Sequence, residues 1–136
     1  MSTAAHLRAR YLNDAVTTAS PARLLVMLYD KLVLDLGQAE EGFRAGDRER
    51  GSDRVLHAQE IVAELLSSLD VDAWDGAKNL AALYVYLNTE LVLANVKADP
   101  DRVAACRAHV EPLRDAWRTA AEEVAQAAPA VAGGVA

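Results

Sequence analysis

Residues 79–96 read NLAALYVYLNTELVLANV, and this stretch decides the fold. It carries one charged residue, Glu90, and contains neither Pro nor Gly. The stretch is too long for an ordinary strand, and its abundance of Leu and Ala favours a helix. Helical spacing then places an apolar stripe on one side, formed by Leu80, Leu83, Tyr84, Leu87, Leu91 and Ala94.

A second apolar face flanks that stripe on the same predicted helix. It is formed by Ala81, Val85, Val92 and Val96, with Asn88 and Asn95 on its border. A helix that is apolar on two sides needs partners on two sides. Either this helix lies at the centre of a bundle, or one face receives something that the chain itself does not supply.

Composition excludes several classes of protein. A chain of 136 residues is the size of about one domain, and 25% charged residues with many Leu, Ala and Val suit an all-helical protein. The net charge of −6 argues against binding nucleic acid or an anionic membrane. The single Cys106 excludes an internal disulfide and is expected to be a buried, inert thiol. With no apolar run that would serve as a signal peptide or span a membrane, a cytoplasmic protein without membrane insertion is expected.

Three further helices are predicted around this stretch. The first begins at Ser20-Pro21 and ends near Ala45-Gly46, since Ser and Pro favour a helix start and Gly a helix end. Its Gly37 is expected to mark a close approach between helices. The second and fourth helices carry apolar stripes over 55–69 and 103–124, and Pro112 is expected to kink or break the fourth. Asp75 is expected to cap the third helix.

The predicted fold is therefore all-α, an antiparallel up-and-down four-helix bundle with a short N-terminal arm or helix. The bundle is assigned to residues 19–127, the arm to 1–18, and a disordered tail to 128–136. Tyr11, Leu12 and Val16 could lie along one side of the arm. The arm is then either a frayed terminus or a segment that packs its Tyr and Leu onto an apolar groove of the bundle.

Catalysis, a cofactor and a metal are not expected. The segment from Asp70 to Ala81 fails as a calcium loop, because Trp74 occupies the fifth position and Ala81 the twelfth. None of the three histidines follows a Glu by three residues, as a carboxylate-bridged metal bundle would require. Glu60 and Glu64 are expected to face solvent.

Many short motifs in this chain resemble those of the flagellin export chaperones, the FliS family. The motifs occur in order from about Tyr11 to Val124: Ala19-Ser20-Pro21, Leu24, Met27-Leu28-Tyr29-Asp30, Ala39, Ala58-Gln59-Glu60-Ile61, Glu64-Leu65, Ser67-Ser68-Leu69-Asp70, Asn79-Leu80, Leu83-Tyr84, Leu91, Ala94-Asn95, Asp99, Leu113-Arg114 and Trp117. The chain departs from the family pattern at Val85, where an acidic residue is frequent, and at Lys31, where Gly is frequent.

The resemblance implies an antiparallel helical bundle that holds the disordered C-terminal segment of flagellin in the cytoplasm before export. Masking that segment would prevent premature polymerisation. Other flagellar regulatory or export proteins are possible further partners. In the family, an N-terminal arm with a Tyr covers the groove when no client is bound, and Tyr11 and Leu12 match it by position.

The partner-binding site is therefore predicted on the arm and on the second face of the third helix: Tyr11, Leu12, Val16, Ala81, Val85, Asn88, Val92, Asn95 and Val96. The alternative is a helical homodimeric structural protein that uses the same apolar face as its seam. Under the chaperone hypothesis, the chain is expected to be a monomer or a weak dimer.

Overall fold

A computed structural model describes residues 21–127 of the chain. They form four helices: α1 (Pro21–Arg44), α2 (Arg48–Ser68), α3 (Ala77–Lys97) and α4 (Pro100–Ala127). Each helix packs against the next in the chain, and α1 also packs against α4 and closes the ring. The predicted all-α four-helix bundle is confirmed. The arm with Tyr11, Leu12 and Val16 and the tail after residue 127 lie outside the described residues.

The core is built from the stripes predicted on the four helices. On α3, the side chains of Leu80, Tyr84, Leu87, Leu91 and Ala94 are buried, and Leu83 packs against them. The other helices contribute Leu32, Leu36 and Ala39 from α1, Val55, Ala58, Ile61 and Val62 from α2, and Val103, Cys106 and Val110 from α4. One stripe from each helix therefore faces the centre, and the period of the sequence determines the rotation of each helix about its axis.

The turns between helices follow local chemistry, with one exception. Gly46 takes a left-handed conformation (φ 75°) after α1, and the side chain of Asp47 accepts a hydrogen bond from the Arg50 amide at the start of α2. The predicted cap by Asp75 is wrong: Gly76 is the N-cap of α3, and no side-chain cap bond forms. The Trp74 ring lies against Gly76, where an added Cβ would overlap it.

The close approach of two helices lies at Gly42 and Gly51, and its prediction at Gly37 is wrong. A Cβ added to Gly42 would stand 2.8 Å from the backbone nitrogen of Gly51, closer than carbon and nitrogen pack. A Cβ at Gly37 would meet only the Arg107 side chain, at an ordinary 3.6 Å. The absence of side chains at 42 and 51 lets the end of α1 approach the start of α2.

The α4 helix is continuous through Pro112, so a break there is wrong and a kink stays a prediction. Pro112 lacks an amide hydrogen and its ring crowds the carbonyl of Ala108, four residues earlier. Both residues lie on the exposed side of α4. The carbonyl freed there can bond to water, so the proline does not leave a buried polar group unpaired.

We expect Gly42→Ala to lower the free energy of unfolding by about 1–3 kcal/mol, because the new methyl group would push α1 away from α2. Gly37→Ala is the matched control, since it adds the same methyl group to the same helix where there is room for it. That control should be neutral or stabilising by up to about 1 kcal/mol. Urea unfolding followed by circular dichroism measures both, and equal effects would contradict the assigned approach.

Candidate functional site

Two contacts identify the side of α3 that faces α4. The ring of Tyr86 packs edge-on against His109 of α4, with ring centroids 5.7 Å apart. Glu90 accepts a hydrogen bond of 2.9 Å from Arg102 of α4. Helical spacing places Val85 and Val92 on the opposite flank of α3, and hence on the side of α2.

The predicted second face of α3 is largely uncovered in the structure. Val85, Val92 and Val96 are 54%, 48% and 67% exposed, whereas Ala81, Asn88 and Asn95 are half-buried along the border with α2. We call these six residues the α3 outer face. The structure brings together all the site residues predicted on the bundle, and binding at this face stays a prediction.

Asn88 gives the α3 outer face an unsatisfied polar atom. Its Oδ1 is buried, and within residues 21–127 it has no hydrogen-bond partner. Most buried polar side-chain atoms in proteins are paired, so an unpaired acceptor beside an exposed apolar row is unusual.

Sequence analysis missed Leu56 of α2, which is 52% exposed. Arg54 and His57 of α2 both contact Asp35 of α1, and helical spacing turns Leu56 away from them toward the α3 half of the surface. Arg48 of α2 donates a 2.8 Å hydrogen bond to the carbonyl of Val96. Since α2 and α3 are antiparallel, Leu56 then lies at about the level of Asn88. In the sequence, Leu56 could be noticed only as a leucine that lies outside the apolar stripe of α2.

The other seams of the bundle are crossed by ion pairs. Asp30 and Glu40 of α1 pair with Arg118 and Arg107 of α4, at 2.9 Å and 2.6 Å. Glu90 and Arg102 join α3 to α4. The surface beside α2 and α3 instead presents the three valines and Leu56, which makes it the better candidate for an apolar partner.

Asp35 has a structural role at the seam between α1 and α2. The Asp35 carboxylate is fully buried and lies 2.6 Å from Nδ1 of His57, 3.3 Å from Lys31 and 3.5 Å from Arg54. The three cationic or polar partners compensate a charge that would otherwise be costly to bury. His57 is therefore a partner of this carboxylate, and within the described chain no group of three potential ligands could hold a metal ion.

Two other candidates for reactive chemistry are buried. Cys106 is 1% exposed, and burial, with a smaller effect of the nearby Glu90 charge, raises the pKa of its thiol to about 11. A thiol in this state is a poor nucleophile, as the sequence predicted. Glu64 was expected to face solvent and is only 8% exposed, so that expectation is wrong.

A separate pocket of about 420 Å³ opens at the end of the bundle where α1 starts and α2 passes into α3. We call it the end pocket. Its wall is mostly apolar and is formed by Pro21, Leu24, Leu25, Leu28, Leu65, Ser68, Leu69, Asp70, Ala73, Trp74, Leu80, Tyr84 and Trp117.

Two buried tyrosines meet beside this pocket. The hydroxyl oxygens of Tyr29 of α1 and Tyr84 of α3 lie 2.5 Å apart, and one hydroxyl donates a hydrogen bond to the other. Burial is the main cause that raises the pKa of both tyrosines, so both stay protonated and neutral. Trp117 packs edge-on against Tyr29, with ring centroids 6.3 Å apart.

Comparison with known proteins identifies the family. A family model described as flagellar protein FliS matches residues 3–124. The chain is similar to the flagellar secretion chaperone FliS of Bacillus subtilis, with 32% identity over 81% of this chain and 82% of that protein. Proteins of the same name from Escherichia coli and Vibrio cholerae are 30% and 27% identical, over 77% of this chain and 79% and 78% of theirs.

The chain belongs to the FliS family. This confirms the resemblance found in the sequence and indicates a flagellar export chaperone, which is not a class of enzyme. No helix in the described part of this FliS chain is long and apolar enough to cross a membrane. The flagellar role implies a flagellar protein as partner.

We expect Tyr84→Phe and Tyr29→Phe each to lower the free energy of unfolding by about 1–2 kcal/mol, because each leaves the other hydroxyl buried without this partner. The double variant should cost about as much as one single variant, since no orphaned hydroxyl remains. Tyr86→Phe is the control, because that ring is half-exposed and contacts His109 edge-on. Urea unfolding measures all four, and additive losses would contradict the pairing.

Proposed function

We propose that this chain binds the disordered C-terminal segment of flagellin in the cytoplasm, prevents its premature polymerisation and assists its export. The α3 outer face is the proposed seat of the segment. The observation that carries the proposal is its exposed valine row, together with membership of a family of flagellar export chaperones.

The α3 outer face suits an amphipathic client helix. Val85, Val92 and Val96 follow one another at spacings of seven and four residues, the periodicity with which a second helix can pack alongside. Asn88 lies on the border of this row, beside α2, and is half-buried. The exposed valine row would therefore supply the affinity of this contact.

Energetics indicate that the client extends beyond this row. Fully burying a valine contributes about 1.5 kcal/mol, and the three are already between about one third and one half covered. Complete coverage of the row therefore adds roughly 2–3 kcal/mol, whereas a micromolar complex needs about 8 kcal/mol. Leu56 and further surfaces would contribute the remainder, as expected for a disordered segment that wraps its partner.

Residues 1–18 are proposed as a competitor for the client surface. Tyr11, Leu12 and Val16 supply one aromatic and two aliphatic side chains within a short segment that is covalently attached to α1. An attached segment is present at high effective concentration, so even weak contacts could cover an apolar surface until a client displaces them.

We expect Val92→Asp to weaken binding of the flagellin segment at least about 100-fold, because the client would bury an unpaired carboxylate. Val124→Asp is the matched control, since it makes the same change at a valine that is 52% exposed near the end of α4. The measurement is calorimetric titration with the C-terminal segment of flagellin from the same organism, with circular dichroism of both variants.

Three outcomes bear on this proposal. Tight one-to-one binding with a gain of helix, lost in Val92→Asp and kept in Val124→Asp, supports it. Loss of helical signal in Val92→Asp would mean that the position belongs to the core. No binding, together with a client-independent dimer in sedimentation that Val92→Asp dissociates, would make the α3 outer face a homodimer seam and overturn the proposal.

A further inference from the structure

The end pocket is a built cavity distinct from the α3 outer face. Leu80 and Tyr84 line it from the inward side of α3, whereas Val85 and Val92 point to the other side of that helix toward α2. Its volume of about 420 Å³ lies within the range of pockets that bind ligands. Two tryptophans, Trp74 and Trp117, contribute to the wall. Aromatic residues in concave sites are frequent hot spots of protein interfaces.

Trp74 is held in place although half of it is exposed. The residue is 50% exposed and stands in the turn between α2 and α3. Its ring lies on Gly76, and any side chain at position 76 would overlap it. A large aromatic ring held against the backbone loses little entropy when a partner covers it. Val71, which is 40% exposed, adds apolar surface in the same turn.

The turn that carries Trp74 is acidic. Asp70 lines the pocket, and Asp72 and Asp75 follow within the next five residues, all of them exposed. Among residues 21–127, no Lys or Arg forms an ion pair with any of the three. The dipole at the start of α3 favours an acid at position 75, but it falls off within one turn and does not account for all three.

We propose that the end pocket docks a second protein partner through a basic segment that carries a bulky apolar side chain next to Lys or Arg. The apolar side chain enters between Trp74 and Trp117, and the basic residues face Asp70, Asp72 and Asp75. Charge complementarity of this kind selects the partner and speeds the encounter. This site goes beyond the proposed binding of flagellin and is occupied independently of the α3 outer face.

Intrinsic fluorescence gives a direct readout, because both tryptophans of the chain line the end pocket. The probe is the synthetic peptide Lys-Lys-Phe-Leu-Lys-Lys, titrated into the full-length chain. One matched peptide has Ala in place of Phe and Leu, and another has Glu in place of every Lys. We expect the first peptide to shift the tryptophan emission, and each matched peptide to bind at least about tenfold more weakly.

Variants of the chain locate the binding. The triple variant Asp70→Asn, Asp72→Asn, Asp75→Asn should bind the basic peptide about tenfold more weakly. The variant Glu41→Gln, Glu49→Gln, Asp53→Asn removes the same charge near the opposite end of the bundle and should leave binding unchanged. Gly76→Ala retains both tryptophans but displaces the Trp74 ring, and it should also weaken binding.

Several results would overturn the proposal. Equally weakened peptide binding in both triple variants would mean that binding depends on the net charge of the chain alone. Equal binding of the basic and acidic peptides would mean that charge complementarity does not contribute to binding. If deletion of residues 1–18 shifts the emission without peptide, and the peptide binds only the shortened chain, the pocket belongs to the chain's own N-terminal segment. Circular dichroism of each variant confirms that the bundle is folded.

The two proposals fail separately. Val92→Asp should leave binding of the basic peptide unchanged, and the triple variant of the turn should leave binding of the flagellin segment unchanged. If Val92→Asp also abolishes binding of the basic peptide, the second site is not independent and the proposal of a separate partner is wrong. Failure of the flagellin titration alone would leave the end pocket supported.

Discussion

The hydrogen bond between Tyr29 and Tyr84 is the contact on which the arrangement of surfaces depends. In the ring of four helices, α1 packs on α2 and α4, so α1 and α3 face each other across the diagonal. The two hydroxyls meet there, 2.5 Å apart, on side chains that are 0% and 3% exposed. Because a lone buried hydroxyl is costly, this pair disfavours any rotation of α3 that separates the two oxygens. With Tyr84 turned inward, helical spacing turns Val85 and Val92 outward.

Much of this fold follows from the sequence, because the apolar period is strong on every helix. The stripe of α3 predicted both its buried residues and its uncovered valines, since both depend only on the spacing of 3.6 residues per turn. The turn at Gly46 and the start of α2 could also be predicted, because both depend on neighbouring residues in the sequence. Contacts between residues of different helices could not be predicted from local chemistry. The approach of Gly42 to Gly51 depends on which glycine meets which helix.

The candidate sites show the same division. The α3 outer face was predictable, because it lies on one helix. Leu56 was missed, since its relevance depends on the neighbouring helix, and a single leucine outside a stripe is common on surfaces. The end pocket was missed because its walls come from α1, α2, α3, α4 and the turn between α2 and α3. The acids of that turn were interpreted as a failed calcium loop and a helix cap, which local spacing alone suggested.

An export chaperone has to keep apolar surface uncovered without aggregating. Here the exposed apolar residues of α3 are interrupted by Asn88, Thr89 and Asn95, and β-branched valines present less area than leucine or phenylalanine. The other seams are closed by ion pairs, and the net charge of −6 opposes close approach of two copies. A weakly apolar face of this kind binds poorly as a small contact. If the α3 outer face binds a client as proposed, a long, disordered client that occupies several weak sites at once suits it better than a compact partner that would need one strong site.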